Sequence, residues 1–303
     1  MKKDRNTFKI IVYLLAAVLV ISTAGCAVKN SLPSPVGDRA VSPEIYTTFY
    51  PLYDFTEKIA GDKVRVENVV PAGVEPHDFE PSPRDVAKIQ SAKAFIFLSR
   101  TMEPWAKKLQ GELEGKGVKV IEAGKNLIKG DDPHIWLDPV LAKEVSRRIF
   151  TALVEIDEKN KAYYEKNFER LAARFDDLDR KYRETLSGAK KKDVVTSHAV
   201  LGYLAERYGL NQIPITGLSP QEEPSPRKMV ELAELCRQRG VKYVFFETLT
   251  GPKLSETLAR EVGAGTLVLN PLEGLTPEEV KAGEDYFSIM EKNLVNLKKA
   301  LSE

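Results

Sequence analysis

The chain has 303 residues, of which 43% are hydrophobic and 29% charged, and its formal net charge at pH 7 is +1. This length is sufficient for one large or two smaller globular domains. The near balance of charge gives no indication of the clustered basic face that a nucleic-acid-binding surface requires, so we expect no nucleic acid partner.

The first 25 residues have the order of a bacterial secretory signal. A cationic stretch that ends at Lys9 is followed by an apolar run over 10–21, and small residues precede Cys26. The apolar run is too short to span a bilayer, which requires about 20 residues. The small residues are typical of a lipoprotein signal, in which the cysteine is acylated, although Thr23 occupies a position where leucine is usual.

We therefore predict a signal peptide over 1–25, then an acylated Cys26 and a flexible linker over 26–42, rich in Pro and Ser. The protein would be extracytoplasmic and anchored to the cell membrane by lipid. The alternative is an ordinary signal peptide in which Cys26 is incidental. If Cys26 is acylated, Cys236 has no disulfide partner, and we expect it to be a small buried apolar residue.

Strands and helices alternate in the next part of the chain. The pattern predicts strands over 44–51, 64–70, 93–98 and 118–121, and helices over 52–60, 83–91, 103–111 and 140–157. Such alternation indicates βαβ units and a mainly parallel sheet. We predict an N-terminal α/β lobe over 43–158.

A long helix is predicted next. Apolar residues follow helical steps of three and four at positions 164, 168, 171, 175, 178 and 182. About 28 residues in a helix extend roughly 40 Å. One interpretation is the seam of a coiled-coil dimer, but the stripe lacks a clean heptad. We prefer a linking helix over 159–187 that joins two lobes of a monomer.

The alternation then begins again. The pattern predicts strands over 193–196, 212–215, 243–247 and 266–269, and helices over 201–208, 226–239, 252–262 and 278–301. We predict a C-terminal α/β lobe over 188–303. The fold class is therefore α/β, with two lobes that each contain a mainly parallel sheet, joined by one long rigid helix, and with the ligand in the cleft between them.

All three histidines of the chain lie at loops or element ends: His77, His134 and His198. Neutral imidazole is the commonest protein ligand of Zn²⁺ and of later first-row metals. Each histidine alone has an ordinary explanation, such as a turn or a hydrogen bond to a nearby aspartate. Together they predict one metal site, which tertiary structure must assemble because 57 and 64 residues separate them.

A fourth ligand is also expected. Glu273 follows a predicted strand of the second lobe and stands before a glycine. Glu247 is a rival candidate, and Glu80 and Glu75 are weaker ones near His77. The ordinary interpretation of Glu273 is a solvated acid, as most glutamates are.

Several motifs resemble those of one family. They are Pro71-Ala72-Gly73 with His77 and Pro81, the segment DPHIWLDP over 132–139, Ser197-His198 with Gly202-Tyr203, Gly217-Leu218-Ser219 with EPSP over 223–226, Phe246-Glu247, and NPLE over 270–273. The chain resembles, from about residue 44 onward, the zinc- and manganese-binding lipoproteins of bacterial ABC importers, the cluster A-I solute-binding proteins. The sequence over 270–273 is similar to that of Gram-positive zinc-uptake lipoproteins.

The resemblance implies a binding protein, not an enzyme, that captures Zn²⁺ and delivers it to an ABC permease with its ATPase subunit. It implies metal ligation by His77, His134, His198 and Glu273. Asn270 stands where many members have an aspartate ligand. The long histidine-rich loop of many zinc members is lacking over 124–132. The resemblance also permits a role in cell adhesion.

Three imidazoles and one carboxylate form a tetrahedral set that suits Zn²⁺, whereas Mn²⁺ prefers more oxygen ligands. We expect second-layer acids to orient the imidazole rings, with Asp132, Asp138 and Glu247 as candidates. Two alternative functions are a manganese- or iron-binding homologue, although those members usually have glutamate at the position of His198, and a hydrolase with a His₃ zinc site and an open coordination position.

Overall fold

The structure, a computed structural model, describes residues 44–302. The predicted signal peptide, Cys26 and the whole predicted linker lie outside the described residues. Within the described range, no helix has both the length and the apolar character that a membrane span requires.

The first sheet contains four parallel strands in the order β2-β1-β3-β4. The strands are β1 (Ile45–Thr47), β2 (Val66–Asn68), β3 (Ala94–Phe97) and β4 (Lys119–Glu122). Helices α1 (Tyr50–Ala60), α2 (Pro83–Ile89) and α3 (Pro104–Gly115) connect them. All four residues of β3 are buried, which is typical of a parallel strand covered on both faces.

The second sheet repeats this topology in the order β6-β5-β7-β8. Its strands are β5 (Asp193–Thr196), β6 (Asn211–Pro214), β7 (Tyr243–Phe246) and β8 (Gly265–Val268). Helices α6 (Gly202–Tyr208), α7 (Pro226–Arg239) and α8 (Lys253–Val262) connect them. Cys236 of α7 is buried, as predicted. The two parallel-sheet lobes confirm the predicted fold class.

In the order of the sequence, two helices follow the first sheet and precede the second: α4 (Pro139–Ile156) and α5 (Lys161–Ser187). The 27 residues of α5 extend about 40 Å. Its six predicted apolar positions are all buried within the chain, so they form part of the core and not an exposed seam. The helix contacts both lobes, since Asn167 donates to Ile59 O at 2.9 Å and Tyr182 donates to Met290 O at 2.7 Å.

Two predicted elements have different bounds in the structure. The strand predicted over 44–51 ends at Thr47, and α1 begins at Tyr50 because Pro51 suits the first turn of a helix. The helix predicted over 278–301 is wrong as a single element, because it is divided into α9 (Pro277–Lys281) and α10 (Tyr286–Ser302). Gly283, with φ 72°, lies in the interruption, and the carboxylate of Asp285 accepts the backbone N–H of Ser288 at 2.9 Å.

The largest fully buried side chain among residues 44–302, that of Trp136, lies in a short 3₁₀ turn (Ile135–Leu137) that the sequence did not predict. Its ring packs edge-on against Phe49 with 4.9 Å between centroids. Its Nε1 donates to Pro271 O at 2.8 Å, and its own carbonyl accepts the hydroxyl of Tyr286 at 2.6 Å. Truncation of such a tryptophan to alanine typically costs about 3–5 kcal/mol. Trp136 thus joins a loop of the first lobe to a loop of the second.

Candidate metal centre

His77 lies in the loop that follows β2. Gly73 provides the turn with φ 81°, and its N–H donates to Leu275 O across the lobes at 2.8 Å. The backbone N–H of His77 donates to Glu75 Oε1 at 3.0 Å. The imidazole is 9% exposed, so this histidine is the most accessible member of the predicted set.

His134 immediately precedes the 3₁₀ turn of Trp136 and is fully buried. Its Nδ1 lies 2.7 Å from Asp132 Oδ1, which also accepts the backbone N–H of His134 at 3.0 Å. Donation from Nδ1–H to this carboxylate leaves the Nε2 lone pair free to bind a metal.

His198 follows the end of β5 and is also fully buried. Its Nδ1 lies 2.7 Å from Glu247 Oε1, and Glu247 is itself buried at the end of β7. Donation from Nδ1–H of His198 to Glu247 likewise leaves the lone pair on Nε2, on the other side of the ring, free to bind a metal. Glu247 therefore contacts Nδ1, the outer nitrogen of His198. It lies outside the cluster of His77, His134, His198 and Glu273, which we call the inner set.

Glu273 follows β8 in a loop that Asn270 shapes. The side chain of Asn270 accepts the N–H of Leu272 at 2.8 Å and donates to Glu279 Oε1 at 2.9 Å. Leu272 has a φ of 59°, a left-handed conformation that is uncommon for a leucine. The side chain of Asn270 thus stabilises the turn by hydrogen bonds, and the side chain of Glu273 is buried, with 1% exposure.

The four predicted residues lie together. The Oε1 atom of Glu273 is between 3.1 and 3.4 Å from the Nε2 atoms of all three histidines. The Nε2 atom of His134 lies 3.3 Å from those of both His77 and His198. All four donor atoms lie within 4.8 Å of one another. An ion at the centre of a regular tetrahedron with edges of about 3.3 Å lies about 2.0 Å from each corner, which is the bond length of Zn²⁺ to imidazole nitrogen.

The charges of this set are strongly coupled. Burial opposes ionisation of Glu273, but the three imidazoles outweigh it and hold the pKa of its carboxyl well below the usual range. Burial lowers the pKa of His198, but Glu273 and Glu247 outweigh it and raise that pKa to about 10. Burial likewise opposes the effect of Glu273 on His77, and the net pKa shift is upward. Protons therefore compete with a cation for these nitrogens.

Other predicted acids have different positions. Asp132 and Glu247 contact imidazole rings, which confirms the expectation for them. The expectation for Asp138 is wrong, because its Oδ1 accepts the N–H of Val140 at the start of α4 at 2.9 Å and pairs with Arg207. Glu80 is exposed and Glu75 binds a backbone N–H, so neither belongs to the inner set.

Sequence reasoning missed how closely a glycine of the second lobe approaches this site. A Cβ at Gly202 would lie 2.3 Å from Asp132 Oδ2. The adjacent Tyr203 donates to the carbonyl of Asp132 at 2.9 Å and accepts the N–H of Lys129 at 2.7 Å. In the sequence, the Gly202-Tyr203 pair is recognisable only as a family motif. Its physical function is to hold the Asp132 loop against the second lobe.

Two parallel-sheet lobes that bring three imidazoles and one carboxylate together define a two-lobed protein of the solute-binding type with a candidate metal centre. The chain belongs to the family described as zinc-uptake complex component A, periplasmic, whose model matches residues 45–300.

Known proteins are similar over most of the chain. A high-affinity zinc uptake system protein of Bacillus subtilis is 40% identical over 95% of this chain and 96% of its own length. The zinc-binding lipoprotein AdcA of Streptococcus pneumoniae is 42% identical over 86% of this chain, which spans only 56% of that longer protein. The Zn(II)-bound ZnuA-like domain of that AdcA has a TM-score of 0.79 and 44% identity, covering 86% of this chain and 100% of the domain.

Proposed function

We propose that this protein captures Zn²⁺ outside the cytoplasmic membrane and delivers it to an ABC permease that works with an ATPase subunit. The observation that carries the proposal is the convergence of His77, His134, His198 and Glu273, in which five donor–donor distances of 3.1–3.4 Å fit bonds of about 2.0 Å to zinc. The similarity to zinc-uptake proteins supports the same cargo.

The inner set favours binding over catalysis. A catalytic zinc site keeps an open position for an activated water, with three protein ligands. Here a buried carboxylate is the fourth donor, as in closed sites. No hydrolase reaction is therefore proposed.

The nitrogen-rich inner set favours zinc over manganese. Asp132 and Glu247 each bind the outer nitrogen of a ring, which fixes the tautomer and makes the inner nitrogen a better donor. Nitrogen-rich tetrahedral sets suit Zn²⁺, whereas Mn²⁺ prefers six oxygen-rich ligands. The inner set contains only one carboxylate.

The distribution of donors between the lobes suggests how zinc is released. His77 and His134 lie on loops of the first lobe, and His198 and Glu273 on loops of the second. A small separation of the lobes would divide the four ligands into two pairs. Two ligands hold zinc far less tightly than four, so docking on the permease would lower the affinity by separating the lobes.

We further propose that Cys26 is acylated and anchors the mature protein, as a monomer, to the outer face of the membrane. The small residues before Cys26 support this proposal, and so does the similarity to a protein described as a lipoprotein. A diffusible cargo would then be captured beside the permease.

The experiment that tests the function is a metal measurement on the purified chain. Mass spectrometry should find one zinc per chain, and Mn²⁺ in large excess should not displace it from protein that was stripped and reloaded. Preferential retention of Mn²⁺, or no stoichiometric metal, would contradict the proposal. A Lys143→Gln variant, which changes an exposed ion pair with Asp176, is a control that should keep the zinc.

A further inference from the structure

One helix of the second lobe contacts the segment that carries His134 in the first. This segment, 129–138, lies between β4 and α4. Helix α6 has seven residues, and four of them lie close to the segment: Gly202, Tyr203, Glu206 and Arg207. We call these contacts the α6 clamp. They join the lobes beside one of the proposed zinc ligands.

At the start of the clamp, Tyr203 binds the main chain around Asp132. Its hydroxyl donates to Asp132 O at 2.9 Å and accepts the N–H of Lys129 at 2.7 Å. The side chain of the same aspartate lies 2.7 Å from His134 Nδ1. Asp132 therefore connects α6 to the imidazole of His134 by hydrogen bonds.

At the end of the clamp, Arg207 pairs with Asp138. Asp138 follows the 3₁₀ turn, is 2% exposed and also caps α4. A contact between arginine and a carboxylate is a charge-assisted hydrogen bond, which is stronger than one between neutral groups. Tyr203 and Arg207 are four residues apart, so they lie on one face of the helix. That face thus holds the chain on both sides of His134.

Helix α6 is itself held firmly. The hydroxyl of Tyr208 donates to Asp179 of α5 at 3.0 Å, and its ring packs against Tyr182 with 5.3 Å between centroids. Leu204 and Ala205 are buried. Displacement of the first lobe relative to the second would therefore break the contacts of the clamp before it moved α6.

The ion pair between Lys129 and Glu206 differs from the other contacts of the clamp. The Nζ atom of Lys129 lies 2.8 Å from Glu206, but the two side chains are 70% and 65% exposed. Exposed ion pairs contribute little to stability, because water and salt screen them. This pair joins the same helix to the same segment, so its removal is an internal reference.

We infer that Arg207 and Tyr203 are positioning residues for His134, and that their contacts set the rate at which zinc leaves the site. Separation of the lobes, by which zinc is released in the proposed function, requires these contacts to break. Both residues act through Asp132 and Asp138 and lie outside the inner set. The inference rests on the proposed function for the cargo, but not for the position of His134.

The first test measures zinc dissociation from the loaded full chain, by stopped flow with an excess of a chromophoric chelator. Arg207→Gln should release zinc about 3- to 30-fold faster than the wild type, the range for residues that modulate coupling without contacting a ligand. Arg207→Lys should be intermediate, because an ammonium group keeps the charge but not the planar fork. Tyr203→Phe, which removes one hydroxyl and keeps the ring, should also release zinc faster.

Two variants serve as controls. Glu206→Gln removes the exposed pair from the same helix and should change the rate by about twofold or less. Arg174→Gln removes an arginine whose partner, Asp285 at 3.2 Å, lies outside the segment 129–138. It should lower the stability against urea but leave the dissociation rate unchanged. The inference is overturned if the Arg207→Gln and Arg174→Gln variants release zinc at equal rates. If Arg207→Gln fails to fold, a wild-type rate in Tyr203→Phe overturns it.

Amide hydrogen exchange of the zinc-free protein separates this inference from the proposed function. In Arg207→Gln, exchange over 129–138 should be about tenfold faster while β7 keeps its protection, because local opening depends on local contacts. Unchanged exchange overturns the inference, whatever the zinc measurements show. If the wild type retains no stoichiometric zinc but exchange is faster in the variant, the proposed function is wrong and the positioning of His134 by α6 is supported.

Discussion

The two lobes have the same strand order, but a buried glutamate serves a different purpose in each. Glu103 follows β3 in the first lobe, and Glu247 follows β7, the equivalent strand of the second. Glu103 accepts the hydroxyl of Thr48, just after β1, and the N–H groups of Leu98 and Ser99 at 3.1 and 3.0 Å. It stabilises loops that contain no proposed ligand.

Glu247 makes the equivalent contact to the residues after β5, but the partner there is a histidine. Its Oε1 lies 2.7 Å from His198 Nδ1 and accepts the backbone N–H of His198 at 3.3 Å. The same topology therefore places a carboxylate beside the end of β1 in the first lobe and beside the end of β5 in the second. Whether this carboxylate supports a loop or a metal ligand depends on the residue that the loop presents.

The largest effect is expected from removal of an inner donor. Glu273→Ala or His198→Ala should weaken zinc binding by more than about 100-fold, the upper range for substitutions in the outer layer. Competition with a chromophoric chelator measures the affinity, and circular dichroism checks the fold. Unchanged affinity in Glu273→Ala would remove it from the set and revive the open-site alternative.

The comparison of the lobes is tested directly by a pair of conservative variants. Glu247→Gln should weaken zinc binding by about 10- to 100-fold, because the imidazole loses its charged partner. Glu103→Gln should leave zinc affinity nearly unchanged but lower the free energy of unfolding by about 1–3 kcal/mol, since an amide NH₂ would face backbone donors. Zinc titration and urea unfolding on both proteins separate the two effects; equal zinc affinities would refute the comparison.

Zinc affinity should fall as the pH decreases. The pKa of His198 is raised to about 10, so a proton occupies this ring in the zinc-free protein at neutral pH, and the pKa of His77 is also raised above its usual value. Zinc must displace such protons, and each displaced proton changes the affinity by up to about tenfold per pH unit. Calorimetry in two buffers of different ionisation enthalpy measures the proton release. Affinity that is constant between pH 5 and 8 is incompatible with histidine ligation.

The smallest effect on zinc binding is expected from Cys26→Ser. Neither lobe contains this residue, so the affinity should remain that of the wild type. The variant should, however, leave the membrane fraction, because the acyl chains supply the proposed anchor. Membrane fractionation of cells that express each form measures this. Retention of the variant on membranes would show that the lipoprotein interpretation is wrong.

Local sequence patterns were sufficient to predict most of the helices and strands. The 3.6-residue period of α5 and the short β-branched strands are visible in the sequence because each depends on neighbouring residues. The one helix predicted over 278–301 failed where Gly283 and Asp285 interrupt it. Gly283 forms a turn and Asp285 caps the next helix, but the residues on both sides keep a helical period, so the sequence pattern predicted one continuous helix.

The sequence by itself determined the alternation of strands and helices, the long helix α5 and the three histidine-bearing loops, because these are properties of short segments. Only the tertiary structure decided between Glu273 and Glu247 for the inner set, and between a ring contact and a helix cap for Asp138. His77 and Glu273 are 196 residues apart. Their distance depends on how the two lobes pack against each other through Trp136, and no local pattern specifies this packing.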